Sequence, residues 1–362
     1  SGFGGIESNI TTRRMDDLYQ MNLAASLDLG RFLPEQAKLQ IPAYYGYTTE
    51  TNAPKYNPLD EDIVLKEALD NLNSKNAEDS LKSLTQTVRT VESFNINNAK
   101  VNIKSKKSMF YDPANLSISY SSNVTKEHSP EIEQDLVKVQ RAGLNYSYSF
   151  NSQPWEPLKN VKALKSSAFK LIKDFNVYLL PTSLNYSTNL NREFSKTKLR
   201  SFELEGNSST LTEGVLDTTG LSFSKDFMWN RQFDIQWSLT RELKLSLQTA
   251  MNSNISESPF TPEIGKEYYE EWRDSVWNSI RKMGTPYTYQ QVFNASYEIP
   301  INKLPLLDWI SSNATYNSTY SWNKNAILSN MPDLGNNTSS VGNWSLSGNM
   351  NFENLYNKIK YL

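Results

Sequence analysis

A single histidine and several adjacent carboxylates are the residues of this sequence that could carry chemistry. His128 could serve a Ser-His-Asp arrangement, and pairs such as Glu270 with Glu271 could serve glycoside hydrolysis. Glycoside hydrolysis needs two carboxyl groups at a set separation across a sugar, which neighbouring residues on an exposed helix do not provide. A lone histidine in the polar stretch KEHSPE is typical of a solvated loop. We therefore expect no catalytic site and no enzyme.

The sequence pattern also lacks metal and phosphate sites. Cysteine is absent, which excludes thiolate metal ligands and a disulfide scaffold. The stretch DEDI, residues 60–63, lacks the glycine turn and the distant glutamate of a calcium-binding loop, and no glycine-rich phosphate loop occurs. We predict no metal and no cofactor.

Length and charge limit the classes of protein further. The 362 residues are enough for two or three ordinary domains or for one large all-β body. Because 37 basic residues nearly cancel 39 acidic ones, neither nucleic acid nor an acidic substrate is favoured as a partner. The sequence contains no run of about 18 apolar residues, so no transmembrane helix is predicted. The chain opens SGFGGIESNI, so we expect any signal peptide to lie outside this sequence.

Long stretches alternate apolar and polar residues, as β-strands do. Residues 233–252 read FDIQWSLTRELKLSLQTAMN, with a bulky side chain at nearly every second position and Arg241 as the interruption. Strands in soluble domains usually have about 3 to 10 residues, so this stretch is either one very long strand or two strands joined near residues 240–242. The apolar parity survives the junction, which predicts an odd number of residues in the loop.

The same alternation recurs along the chain and predicts about a dozen strands. No fixed repeat length separates them, which argues against a solenoid or a propeller. The other predicted strands are residues 18–29, 39–47, 91–103, 114–122, 143–150, 183–194, 287–299, 310–322 and 343–352.

The polar side of these strands separates a membrane barrel from a soluble sheet. It is rich in Asn, Ser, Thr and Gln, whereas an exposed sheet in a soluble protein usually carries many Lys and Glu. Residues 310–322 would climb about 28 Å at a tilt of about 45°, close to the ~25 Å apolar band of outer-membrane barrels. We predict an all-β fold, a segment of a very large antiparallel transmembrane β-barrel, with an aromatic-rich soluble sandwich as the alternative.

The alternation assigns a side of the barrel wall to individual residues, with Tyr and Trp near strand ends forming an aromatic girdle at the lipid headgroups. The residues predicted to face lipid are Leu144, Tyr146, Tyr148, Phe150, Phe293, Tyr297, Tyr316, Tyr320 and Trp322. The residues predicted to face the lumen are Asn145, Ser147, Asn294, Ser296, Asn313, Thr315 and Asn317.

Three stretches break the strand period and are predicted to be inserts between strands. Residues 58–82 have apolar residues at helical spacing, with acidic residues 60–62 in the first turn. Residues 265–284 combine early glutamates with late basic residues and end at Gly284, which also predicts a helix. Residues 155–175 interleave lysines with apolar residues. That pattern predicts a basic amphipathic insert, either on an anionic membrane surface or in solvent.

Several longer motifs resemble the SprA (Sov) family of Bacteroidetes outer-membrane proteins. Residues 13–63 contain SLDLG, FLP, IP and the proline-bracketed PKYNPLDEDI in the order of that family. The motifs LIKDFN, LLP, LPLLDWI, YSW and the terminal NFENLYNKIKYL follow in the same order. The family forms the translocon of the type IX secretion system, a very large single-chain barrel that exports folded cargo, including gliding adhesins.

The resemblance implies that residues 1–362 supply about a third of one barrel wall in the outer membrane of a Gram-negative Bacteroidetes bacterium. It also implies contact with outer-membrane lipid and with secreted protein cargo, a smaller outer-membrane barrel as partner, and a periplasmic plug protein. No motif assigns residues to those partners. Two alternatives stay open: an uptake barrel of the TonB-dependent type, and a soluble β-rich adhesin or carbohydrate-binding module.

Overall fold

The computed structural model describes residues 15–103, 109–161, 166, 169–200, 221–258, 268–304, 307–325 and 335–356. The strands of the described part are β1 (Asp16–Asp28), β2 (Leu39–Gln40), β3 (Pro42–Pro54), β4 (Tyr56–Asn57), β5 (Asp60–Val64), β6 (Thr87–Val101), β7 (Leu116–His128), β8 (Ile132–Ser149), β9 (Ser183–Leu199), β10 (Leu221–Ser238), β11 (Leu243–Asn254), β12 (Thr285–Ile299), β13 (Ile310–Asn323) and β14 (Asn337–Met350). The helices are α1 (Leu65–Asp70), α2 (Lys75–Thr85), α3 (Lys170–Lys173), α4 (Tyr269–Arg281) and α5 (Phe352–Tyr356).

One large sheet contains almost all of these strands. Its twelve strands follow the order β1-β3-β6-β7-β8-β9-β10-β11-β12-β13-β14, with β2 paired to β6, while β4 and β5 form a separate pair. The pairs β1 with β3, β3 with β6, and all pairs from β10 to β14 are antiparallel. The predicted antiparallel all-β fold is thus confirmed, and within the described residues β1 and β14 are the two ends of the strand path.

Residues 233–252 form two strands, β10 and β11, joined by a turn. Ser238 pairs with Lys244 and Trp237 with Leu245, so residues of equal parity lie opposite each other, which is the register that an odd-length loop gives. Thr240 holds the turn, because its backbone N–H donates to the Leu243 carbonyl at 3.2 Å and its hydroxyl accepts from the Leu243 N–H at 2.9 Å. The unbroken alternation therefore comes from a hairpin.

The stretch 58–82 differs from the predicted single helix. Residues 60–62 lie in β5, and the chain then forms α1 and α2. The cause is a tight turn after β4, where the Asn57 side-chain oxygen accepts a hydrogen bond from the Leu59 N–H at 3.0 Å. Because that turn sends the chain back as a strand, helical structure begins only at Leu65.

The other two inserts are only partly described. In residues 265–284, α4 ends at Arg281, and Gly284 follows with a φ of 69° and an N–H that donates to the Ser279 carbonyl at 2.8 Å. That left-handed conformation suits glycine. In residues 155–175, positions 162–165, 167 and 168 lie outside the described residues, and the described remainder contains the four-residue α3 instead of a long amphipathic helix.

His128 lies at the end of a strand and not in the expected loop. It is the last residue of β7, and the connection to β8 is only residues 129–131. The Ser129 N–H donates to the Ile132 carbonyl at 2.9 Å, and the Ser129 hydroxyl accepts from the Ile132 N–H at 3.1 Å. This short turn lets the strand continue through the histidine.

The chain divides into two compact units, described separately below. Unit 1 comprises residues 1–102, 118–142 and 190–227, and unit 2 comprises residues 103–117, 143–189 and 228–362. Buried apolar side chains in the described part are few, namely Leu65, Tyr148, Phe194, Ile255 and Val276. The bulky faces of the strands are therefore not packed into a dry interior between two sheets, as they would be in a soluble sandwich.

None of the helices within the described ranges has the length and apolarity that crossing a membrane requires. The prediction that residues 1–362 form one wall stays a prediction.

Candidate functional site

The cross-strand register of unit 2 decides which side chains share a face. Residues directly opposite in antiparallel strands point to the same side of the sheet. Ala295 pairs with Tyr316, which in turn pairs with Trp344, so one face runs from β12 to β14 through bulky residues. On the other face Asn294 pairs with Asn317. We call these two faces the bulky face and the polar face.

The register places the predicted residues of β12 and β13 in two separate sets. The bulky face carries Phe293, Tyr297, Tyr316, Tyr320 and Trp322. The polar face carries Asn294, Ser296, Asn313, Thr315 and Asn317. Contact of either face with lipid or with a lumen stays a prediction.

Hydrogen bonds extend the polar face to the part of β8 that lies in unit 2. The Ser147 hydroxyl donates to Asn185 Oδ1 at 2.7 Å, and the Ser187 hydroxyl donates to Asn145 Oδ1 at 2.7 Å. Asn185 Nδ2 also donates to Asp234 Oδ1 at 3.3 Å. The remaining predicted residues, Leu144, Tyr146 and Tyr148, alternate with these in β8 and point to the opposite side.

Tyr148 and Phe150 are covered by protein more than the sequence indicates. Tyr148 is buried, and its ring lies 4.6 Å from that of Phe150, which follows the end of β8. The Tyr146 hydroxyl donates to the carbonyl of Phe110 at 2.6 Å, so the segment before β7 reaches this part of the bulky face. Alternation alone does not foresee such a covering segment.

The polar face is joined across strands by neutral hydrogen bonds. Asn294 Nδ2 donates to the Ser246 hydroxyl at 3.2 Å, and the Ser296 hydroxyl donates to Asn313 Oδ1 at 3.3 Å. In β13 and β14 this face consists of Asn, Ser and Thr with one Val, and it contains no charged residue. In these two strands the face is hydrophilic but electrically neutral, while β10 to β12 add Asp234, Lys244 and Glu298 to it.

The bulky face presents a row of aromatic rings. The Phe293 and Tyr316 ring centroids lie 6.3 Å apart, and those of Tyr316 and Trp344 lie 4.3 Å apart. Trp344 is 80% exposed and Leu346 is 73% exposed. A contiguous exposed apolar surface of this kind marks contact with a membrane or with another protein.

Ion pairs gather where the β10–β11 turn and the residues after β12 meet the insert before β9. Lys303 Nζ lies 2.5 Å from Glu242 Oε1 and 3.8 Å from Asp174 Oδ2, and Arg241 is paired with Glu156. Burial acts to raise the pKa of Glu242, but the hydrogen bond and charge of Lys303 outweigh burial and hold that pKa below its ordinary value.

Sequence reasoning missed this cluster, although Arg241 gave a signal. It interrupts the apolar alternation at the turn between β10 and β11. Its partner Glu156 lies 85 residues away in the chain, so spacing cannot reveal the pair. The hydrogen bond from Lys159, together with Arg241, also holds the pKa of Glu156 below its ordinary value.

The strands of unit 1 do not follow the neutral pattern. Lys126 of β7 pairs with Glu92 of β6 at 3.2 Å, and Lys198 pairs with Glu133 at 2.7 Å. The sequence pattern predicts a polar face that is rich in Asn, Ser, Thr and Gln. The strands involved have up to 18 residues, longer than the ~9 to 11 that an apolar layer needs, so their extra length can carry charge in water.

Comparison with known families gives a match for part of the chain. Residues 1–69 match the family described as SprA_N, motility related/secretion protein. The SprA resemblance is confirmed for this segment. A comparison of the chain with curated proteins gives no match.

The SprA_N segment contains β1 to β3, and its SLDLG motif shapes the connection between them. Asp28 Oδ1 accepts hydrogen bonds from the Gly30 N–H at 3.0 Å and from the Ile41 N–H at 2.9 Å. A Cβ added at Gly30 would lie 2.0 Å from the Leu39 carbonyl oxygen, so a larger residue does not fit. The SprA_N motif thus fixes how the chain returns from β1 to β3.

Proposed function

We propose that this chain forms part of the wall of a protein-conducting barrel in the outer membrane, the translocon of the type IX secretion system, and that folded cargo, including gliding adhesins, passes it. The family match supports a role in motility or secretion. The observation that carries the proposal is the sheet of unit 2, which has exposed aromatic residues on one face and a hydrogen-bonded polar face, rich in Asn, Ser and Thr, on the other.

The bulky face suits hydrocarbon. Burying one large apolar side chain is worth about 1.5 to 3 kcal/mol, and Trp344 and Leu346 leave most of their surface open. In water such a face would drive association with other proteins, whereas in a bilayer it would be the lipid-facing side of the barrel wall. Strand length agrees, because the 14 residues of β13 climb about 30 Å at a tilt of about 45°.

The polar face suits a wide aqueous passage for proteins. Its amide and hydroxyl groups bond to one another, as in the pair Asn294 and Ser246. Rings of charge filter small ions and would bind oppositely charged cargo. A face on which charged residues are few and of both signs would let folded proteins of either charge pass.

The partners belong to the same proposal and rest on the resemblance. They are a smaller outer-membrane barrel beside the wall and a periplasmic plug protein that closes the passage. The surrounding lipid is that of the outer membrane of a Gram-negative bacterium.

Photocrosslinking in living cells tests whether proteins pass this wall. We would place a benzophenone amino acid at Asn313 or Thr315 on the polar face, with Ala314 on the bulky face as the matched control. Irradiation should give adducts with secreted proteins from the first two positions and none from Ala314. A chain that reaches the outer membrane but gives no cargo adduct from the polar face would contradict protein conduction.

A further inference from the structure

A cavity of about 680 Å³ opens on the bulky face of unit 2. Its floor is formed by β12 and β13, where Ala295 pairs with Tyr316 and Tyr297 pairs with Ala314. Each alanine therefore stands beside a tyrosine, and the two small side chains leave the depression. Trp344 of β14 also lines the cavity.

The insert that contains α3 forms the opposite wall through Leu171 and Phe175. It is tied to the β10–β11 turn, because Asn176 is 2% exposed and its Oδ1 accepts from the Arg241 N–H at 2.9 Å. Lys303 connects the insert to the same turn through Asp174 and Glu242. The wall is thus held in place by buried polar contacts, and the cavity is preformed.

The polarity of the cavity changes along the strands. Phe293 and Tyr316 each lie six residues from the strand ends, at Ile299 and Ile310. The polar lining residues Asn176, Glu242 and Lys303 are not in the strands and lie where the strands end. Such a cavity is apolar at one end and polar at the other, which matches a molecule with a hydrocarbon chain and a polar head.

The charges beside the polar end favour a phosphate. Lys170 and Lys173 on α3 flank the lining residue Leu171, and neither forms an ion pair within the described residues. Asp174 and Glu242, in contrast, are already paired with Lys303. The three lysines outnumber the two carboxylates by one charge, so the cluster is net positive and complements the phosphate of a lipid headgroup.

We propose that this cavity binds one phospholipid of the surrounding bilayer, with an acyl chain between α3 and strands β12 to β14 and its phosphate at Lys170 and Lys173. The inference rests on the proposed function, which puts the bulky face in lipid. It gives the basic insert a role: the insert holds a structural lipid against the wall.

The test uses liposomes of phosphatidylethanolamine that carries a diazirine on its acyl chain. The full 362-residue chain is folded into them, irradiated, and analysed by mass spectrometry for the crosslinked residues. We expect adducts at Leu171, Ala295 and Ala314 to exceed those at Tyr320, on the open part of the same face, about five-fold or more.

Two variants of β13 separate the cavity from general lipid contact. Ala314→Phe fills the cavity and should reduce adducts at Leu171 about five-fold. Ser318→Phe adds the same ring on the same face outside the cavity and should leave them unchanged. Adducts at Tyr320 report folding and insertion and should be equal in both variants.

A second comparison tests the headgroup. Diacylglycerol with the same diazirine chain lacks the phosphate and should label Leu171 several-fold less than phosphatidylethanolamine does. The double variant Lys170→Gln/Lys173→Gln should abolish that difference.

The contradicting outcomes are distinct. Equal adducts at Tyr320 and Leu171, unchanged by Ala314→Phe, would overturn the lipid site and leave the bulky face in the bilayer. An unlabelled cavity beside a labelled Tyr320 would also overturn the lipid site, because lipid would then reach the open part of the bulky face and not the cavity. Absence of adducts on the whole bulky face would overturn both the lipid site and the membrane wall.

Discussion

Side chains of neighbouring strands contact each other in both unit 1 and unit 2, but the chemistry of these contacts differs between the two units. In unit 1 the contacts include ion pairs, such as Lys126 with Glu92 at 3.2 Å. In unit 2 the described strands are joined by hydrogen bonds without an ion pair, and many of these bonds join neutral groups, such as Ser147 with Asn185 at 2.7 Å. Strand β8 contributes to both units, with IEQDLVKVQRA in residues 132–142 and GLNYSYS in residues 143–149.

The difference indicates what surrounds each region. An ion pair in water is worth about 0 to 1 kcal/mol, but a charged residue that faces lipid costs about 2 to 4 kcal/mol near the bilayer centre. Charged pairs are thus tolerated only where water is near. Within the described residues, the ion pairs that join two strands lie in unit 1, whereas those of unit 2 lie in turns, helices and inserts. This distribution agrees with the proposed function if the apolar layer crosses the strands of unit 2.

The largest expected effect comes from placing charge on the bulky face of unit 2. Phe293→Arg should destabilise the folded chain in vesicles by about 2 to 4 kcal/mol if the position is near the bilayer midplane. Asn294→Arg, one residue away on the polar face, should cost much less. Urea titration of the two variants in the same vesicles measures both, and equal tolerance would contradict the assignment of the faces.

Alanine substitutions of two glycines compare how tightly the backbone is packed in unit 1 and in unit 2. Gly30→Ala in unit 1 should cost about 1 to 3 kcal/mol, because its Cβ would overlap the Leu39 carbonyl oxygen at 2.0 Å. Gly348→Ala in unit 2 should cost far less, since its nearest atom is 3.8 Å away. Thermal unfolding of both variants checks the order, and a similar loss at both sites would refute the tight packing at Gly30.

The ion-pair cluster of unit 2 should respond to acid. Because the folded-state pKa of Glu242 lies below its usual value of 4.5, its contribution is present above pH 4.5 and is lost as the pH falls through the folded-state value. Lys303→Met should cost about 1 kcal/mol at neutral pH and should flatten the decline in stability below pH 4.5. Denaturant titrations from pH 3 to 7 measure this, with Lys126→Met in unit 1 as the exposed control. An unchanged acid profile would show that Lys303 does not set the Glu242 pKa.

The smallest expected effect is the response of the coupling free energy to salt, which should differ between charged and neutral pairs. A double-mutant cycle on Glu92 and Lys126 should give a coupling of about 0.5 kcal/mol or less that shrinks as salt rises, because exposed charges are screened. The same cycle on Ser147 and Asn185 should give a coupling that salt does not change. Identical salt dependence in the two cycles would remove the proposed difference in chemistry.

Many strand positions and their side-chain alternation could be predicted from the sequence because a strand carries its own period of two. Residues 132–142 of β8 and 221–232 of β10 were missed. The odd loop after Ser238 follows from the same rule. The features that could not be predicted depend on contacts between residues that are distant in the sequence. The pairing of Arg241 with Glu156 and the cavity wall at Leu171 arise from the path of the insert, which no local pattern encodes. The strand at residues 60–62 was missed because acidic residues before an apolar run also fit a helix start.

The most direct measurement of the central claim is spin-label accessibility along β13. The chain has no cysteine, so each position from Ile310 to Asn323 can be replaced in turn and labelled with a nitroxide in vesicles. The proposed wall predicts that collisions with oxygen, which concentrates in lipid, peak at Ala314, Tyr316 and Ser318. Collisions with a water-soluble nickel complex should peak one residue out of phase, at Asn313, Thr315 and Asn317. The two profiles rising and falling together would contradict the wall.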